Sequence, residues 1–257
     1  SRHVRVAAIV DGDRFIGQTN VAAPTPEVSA MVLAGGKGER LQPLTFKVPK
    51  PLLQVGRTSP LERVLEGLHA ARVEQVWIAL NYMAEMVEDR VGDGSHYGVR
   101  VRYIHEEEPL GSAGALSLFE DEPPGPVIVT NSDQITNLSM ARLVDYHLAE
   151  QADVTVASVP FSVDVPYGVF DLRGAELVGL KEKPTVRFPC NAGYYVVDPG
   201  VLSHVPKGEL FTMVDLMESV MRGGGRVAVF PMVETWIDIG TPEELEQALL
   251  WSATEDV

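Results

Sequence analysis

Residues Met31 to Leu53 read MVLAGGKGERLQPLTFKVPKPLL, and this stretch decides the fold that the sequence predicts. An apolar run ends at Leu33 and passes directly into glycines at positions 35, 36 and 38. Glycines let backbone N–H groups come close to a phosphate, and open α/β sheets bind their ligands beyond the carboxyl ends of strands. Cationic side chains that can neutralise phosphate charge follow in the same stretch: Lys37, Arg40, Lys47 and Lys50. The stretch therefore predicts a polyphosphate site at the end of a buried strand.

Two common phosphate-binding loops are excluded by their spacing. A Walker loop requires G-x-x-x-x-G-K-[ST], whereas Gly38 is followed by Glu39 and Arg40. The dinucleotide fingerprint G-x-G-x-x-G would begin at Gly36, but Leu41 stands at its third glycine position. A nucleotide-binding oxidoreductase is therefore a poor alternative.

Composition narrows the class of protein further. A chain of 257 residues with 45% hydrophobic content can form one large α/β domain and a small appendage. The formal net charge of −15 argues against non-specific nucleic-acid binding and against anionic membrane surfaces. The longest apolar runs have the length of strands, so we expect no membrane span. Cys190 is the single cysteine, which excludes an internal disulfide and is expected in a reducing cytoplasm.

Residues 28–257 alternate between strand and helix patterns, which predicts an α/β domain with a doubly wound, mixed sheet of the Rossmann-like type. Strands are expected at Ala30–Leu33, Gln75–Leu80, Val99–Ile104, Val127–Asn131, Val154–Val159, Gly168–Leu172, Leu177–Glu182, Ala192–Val197 and Arg226–Phe230. Helices are expected at Leu61–Ala71, Met83–Val91, Ala113–Phe119, Met140–Glu150, Met213–Met221 and Glu243–Trp251.

Residues 1–27 form a separate region by pattern. Val4 to Thr19 has the pattern of a β-hairpin turning at Asp11-Gly12-Asp13, and Pro24 and Pro26 then indicate a linker. The hairpin resembles the closing strands of a CBS module, so it is a possible CBS remnant. An extra hairpin on the main domain is an equal alternative.

The opening stretch resembles the signature of the sugar-1-phosphate nucleotidylyltransferases, L-A-G-G-x-G-x-R-L-x-P-L-T followed by P-K-P-L-L. The matches lie at Leu33–Thr45 and Pro49–Leu53, and three further motifs follow in the family's order. The resemblance implies the fold of the nucleotide-diphospho-sugar transferases. It also implies a reaction in which a nucleoside triphosphate and a sugar 1-phosphate give an NDP-sugar and pyrophosphate. The most similar group carries a CBS region before a guanylyltransferase-like domain, which favours GTP.

Two aspartates are candidate ligands for Mg²⁺. Asp133 follows an apolar strand in VIVTNSDQITN, and a carboxylate at a strand end near a phosphate loop can hold the ion. Alone, such an aspartate is more often a helix N-cap. Asp238 lies in ETWIDIGTPEEL, which is similar to the family's W-x-D-I-G-T-P-E, and in that family both positions ligate the metal. Ser132 departs from the family pattern, which has glycine before the first aspartate.

The resemblance implies the remaining site residues. Those expected in catalysis are Arg40, Lys50 and Lys183. Those expected to bind the nucleotide are Leu33, Ala34, Gly35, Gly36, Lys37, Gly38, Asn81 and Gly111, the last lying in EEEPLGSAGAL. Those expected to bind the sugar phosphate are Tyr167, Gly168, Glu182, Asn191 and Gly193. A pyranose needs a carboxylate and an amide for its hydroxyls and a cation for its phosphate, and Glu182, Asn191 and Lys183 supply those groups. Outside this context, a Glu-Lys pair is usually solvated surface.

The expected partners are a nucleoside triphosphate and a sugar 1-phosphate, with no nucleic acid, no membrane and a possible homo-oligomer. Three alternatives remain open at this point. One is a non-catalytic regulatory paralogue that binds a nucleotide sugar. Another is the same chemistry with UTP, dTTP or ATP. The third is a cytidylyltransferase acting on phosphocholine, which Glu182 and Asn191 make less favourable.

Overall fold

The computed structural model describes residues 4–11, 14–22 and 26–255. The first two ranges form an antiparallel hairpin of strands β1 (Val4–Asp11) and β2 (Arg14–Ala22), in the region where the sequence predicts one. The division of the chain at residue 27 stays a prediction. The turn residues Gly12 and Asp13 lie outside the described residues. The relation of this hairpin to CBS modules stays a prediction.

A mixed sheet of seven strands lies at the centre of the fold. The remaining strands of the chain are β3 (Ser29–Leu33), β4 (Gln75–Leu80), β5 (Arg100–His105), β6 (Val127–Asn131), β7 (Gln134–Thr136), β8 (Val154–Asp164), β9 (Val169–Arg173), β10 (Glu176–Lys181), β11 (Thr185–Val197), β12 (Val227–Pro231) and β13 (Trp236–Asp238). The central sheet has the order β12-β8-β11-β6-β3-β4-β5. Its strands pair in parallel except β11, which is antiparallel to both β6 and β8. The predicted doubly wound mixed sheet is confirmed.

Helices cover both faces of this sheet. They are α1 (Pro60–Ala70), α2 (Ala84–Val91), α3 (Gly111–Gly114), α4 (Met140–Glu150), α5 (Met213–Arg222) and α6 (Pro242–Glu255). Apolar side chains of α1 and α4 pack on one face of the sheet, and those of α5 pack on the other, because β-strand side chains alternate between faces. A third, smaller apolar cluster joins α6 to β7 and β13. Within the described residues, no helix has the length and apolar character required to cross a membrane.

Helix α1 begins at a capping box that also ties it to neighbouring elements. The Ser59 hydroxyl accepts a hydrogen bond from the Glu62 N–H, and the Glu62 carboxylate accepts one from the Ser59 N–H at 2.7 Å. The same buried carboxylate accepts hydrogen bonds from Arg90 and from the Tyr97 hydroxyl. Burial alone would raise the pKa of Glu62, but these hydrogen bonds and the Arg90 charge outweigh it and lower the pKa below its ordinary value.

Some predicted element bounds were wrong. The helix expected at Ala113–Phe119 is the short α3 followed by a 3₁₀ turn over Ala115–Leu118. Strands β8 and β11 extend well beyond Val159 and before Ala192, because they continue together as a two-stranded ribbon outside the central sheet. Pro160 and Pro189, which look like strand ends in the sequence, are cross-strand partners in this ribbon. Prolines are tolerated there because none of the described strands pairs with the outer edges of the ribbon, where an N–H would otherwise be needed.

The part of the chain from Pro160 to Cys190 is called the arm below. It comprises the outer halves of β8 and β11 and the antiparallel hairpin β9–β10 between them. The inner halves of β8 and β11 are buried in the central sheet, whereas the outer halves and most of the β9–β10 hairpin are exposed. The molecule therefore has a rigid, buried sheet and a thin extension from it.

Candidate functional site

The glycine-rich loop begins where β3 ends, at the centre of the sheet. Strand β3 has β4 on one side and β6 on the other, so a crevice opens beyond its carboxyl end. Ala34 donates its N–H to Ala79 O and lies buried behind the loop. Gly38 has a positive φ of 60°, and a Cβ there would lie 2.9 Å from Thr45 Cγ2. Gly36 faces open space, so its backbone is accessible to a ligand.

The crevice is a cleft of about 660 Å³ that brings most of the predicted nucleotide residues together. The predicted residues lining it are Leu33, Gly35, Gly36, Lys37, Gly38, Arg40, Lys50, Asn81, Gly111 and Asp133. Lys47, from the same cationic stretch, is exposed and does not line the cleft. The Arg40 guanidinium lies against Gly240, where a Cβ would come within 2.8 Å of it. Glycine at position 240 therefore leaves the space that Arg40 occupies.

The two candidate metal ligands are brought together by a small sheet that the sequence did not predict. Strand β13 pairs with β7 so that Asp238 lies opposite Gln134, and Ile239 donates its N–H to Asp133 O. The Lys50 ammonium lies 2.5 Å from Asp133 Oδ2 and 3.8 Å from Asp238 Oδ1. Lys50 is nearly buried, so this contact is screened little by solvent. The Lys50 ammonium therefore lies between the two carboxylates that are the candidate metal ligands.

The carboxylate pair has properties that fit a divalent cation. Asp133 Oδ1 is buried and has no hydrogen-bond partner among the residues that the structure describes. Burial raises the pKa of Asp238, and the nearby Asp133 charge raises it further, while Lys50 and Arg40 oppose the shift. Among residues 4–11, 14–22 and 26–255, no group of three or more acidic, histidine or cysteine side chains could hold a metal ion. Two carboxylates suit Mg²⁺, which usually takes its other ligands from water and substrate phosphates.

Ser132 links the segment that carries Asp133 to the end of β3, where the glycine-rich loop begins. Its N–H and its hydroxyl both donate to Leu33 O, at 3.2 Å and 2.7 Å. The family's glycine could supply only the first of these bonds. Serine at this position therefore adds a hydrogen bond between the ends of β6 and β3. Asp133 still lies beside Lys50.

Glu106 is a cleft residue to which the sequence reasoning assigned no role. Its Oε1 accepts a hydrogen bond from Leu110 N–H, and its Oε2 would lie 3.1 Å from a Cβ added at Gly35. Asn81 donates its side-chain N–H to Glu106 O at 2.7 Å, so Asn81 positions the backbone beside the carboxylate. Burial raises the pKa of Glu106, and the Leu110 N–H opposes that shift. The sequence offers three successive glutamates at positions 106–108 as a signal for a carboxylate in the cleft. It does not show which of the three faces the cleft.

The loop containing Gly111 is fixed to the start of α5. Gly111 has a φ of 78°, and a Cβ there would lie 2.8 Å from Phe211 O. That same carbonyl accepts hydrogen bonds from Ala113 N–H and Gly114 N–H, both at 2.9 Å. The Ser112 hydroxyl accepts a bond from Met213 N–H. The backbone that lines this side of the cleft is therefore held in place without any ligand.

Two of the predicted sugar residues lie beside the floor of the cleft. Asn191 accepts a hydrogen bond from Gly193 N–H and donates one to the Tyr195 hydroxyl. Gly193 has a φ of 76°, and a Cβ there would lie 2.7 Å from the Asn131 amide nitrogen and 2.5 Å from that of Gln134. Asn131 itself lines the cleft. Within the described part of the chain, the Oε1 atom of Gln134 is buried without a hydrogen-bond partner. The sequence reasoning did not identify this residue.

The other predicted sugar residues lie on the arm. Glu182 Oε2 would lie 3.0 Å from a Cβ added at Gly168, so these two positions are adjacent. Lys183 has a positive φ of 44°, which is uncommon for a residue other than glycine, and Tyr167 is largely exposed. None of these four residues lines the cleft as the structure describes it. Their role in binding a sugar phosphate stays a prediction.

Comparison with known proteins agrees with this geometry. The family model described as nucleotidyl transferase matches residues 29–254. The chain is 32% identical over 228 residues to the mannose-1-phosphate guanylyltransferase of Mycobacterium tuberculosis (strain ATCC 25618 / H37Rv), an alignment that covers 86% of this chain and 63% of the relative. It is 33% identical over 230 residues to the mannose-1-phosphate guanyltransferase of Candida albicans (strain SC5314 / ATCC MYA-2876), covering 84% and 62%. The chain thus spans a little less than two thirds of the length of these relatives.

Solved structures show the same fold. A putative glucose-1-phosphate thymidylyltransferase from Bacillus anthracis, solved in complex with a sucrose, superposes with a TM-score of 0.71 at 26% identity, covering 88% of this chain and 95% of that one. HddC from Yersinia pseudotuberculosis, complexed with GMP-PN, superposes with a TM-score of 0.65 at 25% identity, covering 87% and 98%. With a family model matched over residues 29–254 and the glycine loop, cations and paired carboxylates at one crevice, this chain belongs to the nucleotidyl transferase family.

Proposed function

We propose that the chain is a sugar-1-phosphate nucleotidylyltransferase that uses GTP. The observation that carries the proposal is the convergence of the glycine loop, Arg40, Lys50 and Asp133 in one cleft, with Asp238 3.8 Å from the Lys50 ammonium. A loop with accessible N–H groups and two cations suits a triphosphate. A pair of carboxylates a short distance away suits the metal ion that accompanies it.

The reaction joins the two substrates directly. A phosphate oxygen of the sugar 1-phosphate attacks the α-phosphorus of the triphosphate, and the bond from the α-phosphorus to the bridging oxygen breaks. The electron pair of that bond leaves with pyrophosphate. The loop backbone and Arg40 hold the two departing phosphates, Lys50 stabilises charge at the α-phosphate, and Lys183 orients the sugar phosphate. Catalysis of this kind depends on positioning and on charge stabilisation.

Asp133 and Asp238 would hold Mg²⁺, which when bound neutralises phosphate charge and aligns both substrates. The unpartnered Asp133 Oδ1 and the raised pKa of Asp238 support this assignment. In the protein without substrates, the Lys50 ammonium already partly neutralises the pair.

Glu106 supports guanine as the base. Guanine presents two adjacent donors, N1–H and the N2 amino group, on one edge. Uracil and thymine present one donor between two acceptors, and adenine and cytosine place an acceptor beside their amino group. A carboxylate with one oxygen free of cationic partners therefore favours guanine. The names of the guanylyltransferase relatives and the GMP-PN complex of HddC support the same choice.

The sugar is proposed from the relatives. Mannose 1-phosphate is the first candidate because it stands in the names of several relatives of this chain. Glu182 and Asn191 are the groups we expect to bind sugar hydroxyls. We also propose a cytoplasmic location, since a single cysteine fits a reducing compartment.

Pyrophosphate release tests the proposal. The protein with Mg²⁺ is assayed against GTP, ATP, UTP, dTTP and CTP, each with mannose, glucose, glucosamine, N-acetylglucosamine and heptose 1-phosphates. We expect the strongest release with GTP. Glu106→Gln should reduce the preference for GTP over ATP by about 10- to 100-fold, the effect of losing a hydrogen bond to a charged group. Glu108→Gln, an exposed carboxylate two residues away, is the matched control and should leave the preference unchanged.

The outcomes separate the alternatives. Strong release with UTP, dTTP or ATP would retain the reaction class and reject GTP. Release with CTP and phosphocholine alone would favour the cytidylyltransferase. No release from any pair, with nucleotide or nucleotide-sugar binding still measurable by calorimetry, would reject the enzyme and favour a regulatory paralogue.

A further inference from the structure

Thr45 lies in a short 3₁₀ turn, Leu44–Phe46, between the glycine-rich loop and Lys50. Its neighbours Leu44 and Phe46 are 49% and 58% exposed, whereas Thr45 itself is only 1% exposed. Burial of apolar surface would favour the opposite arrangement, with the two apolar side chains inside and the hydroxyl in water. The turn is therefore oriented so that the threonine, and not its apolar neighbours, faces the protein interior.

The buried Thr45 side chain contacts the last glycine of the loop in two ways. Its hydroxyl donates a hydrogen bond to Gly38 O at 2.9 Å, and the same carbonyl accepts one from Leu41 N–H at 3.0 Å. Its methyl carbon Cγ2 would lie 2.9 Å from a Cβ added at Gly38, so it packs directly against that residue. Both the hydroxyl and the methyl group of Thr45 therefore fix the position of Gly38.

Tyr82 extends this connection to the first glycine of the loop. Its hydroxyl donates a hydrogen bond to Thr45 O at 3.3 Å, and its backbone N–H donates one to Gly35 O at 3.4 Å. Tyr82 lies two residues beyond the end of β4, a strand that pairs with both β3 and β5. The loop is therefore held at both ends by residues that are linked to the central sheet.

These hydrogen bonds set the direction in which the loop N–H groups point. In a trans peptide unit, the C=O group and the N–H group of the next residue point in opposite directions. Because Thr45 holds Gly38 O, the Glu39 N–H points away from Thr45. Tyr82 holds the carbonyl before Gly36, so the Gly36 N–H points away from Tyr82. Gly36 and Glu39 line the cleft as the structure describes it, whereas Thr45 and Tyr82 do not, so both N–H groups point to the cleft side.

We propose that Thr45 and Tyr82 are positioning residues that direct the N–H groups of the glycine loop at the β- and γ-phosphates of the nucleotide. Donors that are fixed before the reaction stabilise the charge that develops on the departing pyrophosphate without having to reorganise. Neither side chain contacts the phosphates, and both act through the loop backbone. This proposal rests on the proposed function only in placing the β- and γ-phosphates at the loop.

Ligand binding to the full chain, measured by calorimetry with Mg²⁺, tests this proposal. Thr45→Val keeps the shape of the side chain and its contact with Gly38 but removes the hydroxyl. Its Kd for GTP and for inorganic pyrophosphate should rise by about 3- to 10-fold, the effect of losing one hydrogen bond. Its Kd for GMP, which lacks the β- and γ-phosphates, should not change. Thr45→Ser restores the hydroxyl and should restore the affinity for GTP.

Steady-state release of pyrophosphate gives a second readout. In Thr45→Val, KM for GTP should rise by a similar factor while KM for mannose 1-phosphate stays unchanged. A general loss of stability would not separate the two substrates in this way. Tyr82→Phe removes the longer hydrogen bond to Thr45 O, so it should show the same pattern with a smaller rise of about 2- to 3-fold.

Thr155→Val and Tyr146→Phe are the matched controls. Thr155 is fully buried, and its hydroxyl is hydrogen-bonded to His147 Nδ1 at 2.9 Å. The Tyr146 hydroxyl donates to Val229 O at 3.0 Å. Each control loses the same hydroxyl group as its counterpart at a position that does not line the cleft. Both controls should bind GTP, pyrophosphate and GMP as the wild type does.

Three results would overturn the proposal. A folded Thr45→Val with unchanged affinity for GTP and pyrophosphate would show that its hydroxyl does not position the loop. Equal weakening of GMP and GTP binding, or the same weakening in Thr155→Val, would show a general structural effect instead. If circular dichroism shows that Thr45→Val is unfolded, Tyr82→Phe makes the same test on the next hydrogen bond, and unchanged affinities there would also reject the proposal.

Failure of the proposed function gives a different result. A wild-type protein that binds GTP but releases no pyrophosphate with any sugar 1-phosphate would reject the proposed reaction. The binding data for GTP, pyrophosphate and GMP would still decide whether Thr45 and Tyr82 position the loop.

Discussion

The nucleotide cleft and the arm are built in opposite ways. The cleft lies at the centre of the sheet, and backbone hydrogen bonds, a nearly buried lysine and a paired set of carboxylates hold its groups in place. The arm is a two-stranded extension with exposed apolar faces, and it carries Tyr167, Glu182 and Lys183. Charge stabilisation in phosphoryl transfer requires groups that are already in position. Binding of a sugar depends more on hydrogen bonds to hydroxyls than on charged groups held in fixed positions. An exposed two-stranded hairpin can supply such hydrogen bonds.

Substitutions at the metal end of the cleft should have the largest effect. Lys50→Ala and Asp133→Asn should each lower turnover by about 10²-fold or more. The first removes a cation proposed to stabilise phosphate charge, and the second weakens a proposed ligand of the metal ion that does the same. Their effects on metal binding should be opposite. Without substrates, Mn²⁺ should bind several-fold more tightly to Lys50→Ala, which lacks the competing ammonium, and more weakly to Asp133→Asn. Electron paramagnetic resonance titration measures both.

Lys47→Ala is the control for this pair, since Lys47 is exposed and does not line the cleft. It should change neither turnover nor Mn²⁺ binding. Unchanged or weaker Mn²⁺ binding in Lys50→Ala would mean that the ammonium does not compete with the metal for the carboxylates.

A substitution on the arm should have a smaller effect that is confined to the sugar substrate. Glu182→Gln should raise KM for the sugar 1-phosphate by about 10-fold, because a carboxylate expected to accept hydrogen bonds from sugar hydroxyls is replaced by a weaker acceptor. KM for GTP should not change. Glu176→Gln is the control, since Glu176 begins strand β10 and Glu182 directly follows the end of that strand. An equal rise in KM for both substrates would contradict the proposal that the cleft binds GTP and the arm binds the sugar 1-phosphate.

The smallest effect is expected far from both regions, at Glu62 of α1. The folded-state pKa of this carboxyl lies below its ordinary value of 4.5, so its stabilisation is present above pH 4.5 and is lost as pH falls through the folded-state pKa. Glu62→Gln should lower the free energy of unfolding by about 1–2 kcal/mol at pH 7, and the difference from wild type should shrink in more acidic solution. Turnover at neutral pH should not change.

Urea unfolding at pH 7 and at pH 4 measures this difference. The control is Glu66→Gln on the same helix, where the carboxylate is exposed and lacks the Ser59 and Tyr97 hydrogen bonds. A difference between Glu62→Gln and wild type that is as large at pH 4 as at pH 7 would mean that the hydrogen bonds to Glu62 do not depend on its charge.

The cleft was more predictable from the sequence than the arm, for a physical reason. A phosphate loop is local, because the strand, the glycines and the cations follow one another between Met31 and Lys50. Buried strands such as β4 and β6 are continuous apolar runs whose bounds were predicted correctly. The fold class followed from the alternation of these runs with helices.

The parts that the sequence did not predict depend on contacts between distant residues. Strands β7 and β13 have three residues each, too short for a pattern, yet their pairing places Gln134 opposite Asp238. Glu106 becomes a cleft residue only because β5 ends beside β4 at the sheet edge. On the arm, Pro160 and Pro189 concealed the ribbon because each interrupts a strand pattern alone, and only their pairing makes them compatible with a sheet.

Ser132 gives the cleft a mechanical property. Because its N–H and hydroxyl share the carbonyl of Leu33, the last residue of β3 and the segment that carries Asp133 are joined by two hydrogen bonds. These bonds couple the start of the phosphate loop to the carboxylate, so we expect the separation between them to change little when a triphosphate binds. The arm side chains proposed to bind the sugar phosphate lie outside this connection, so we expect their positions to vary more than those of the cleft groups.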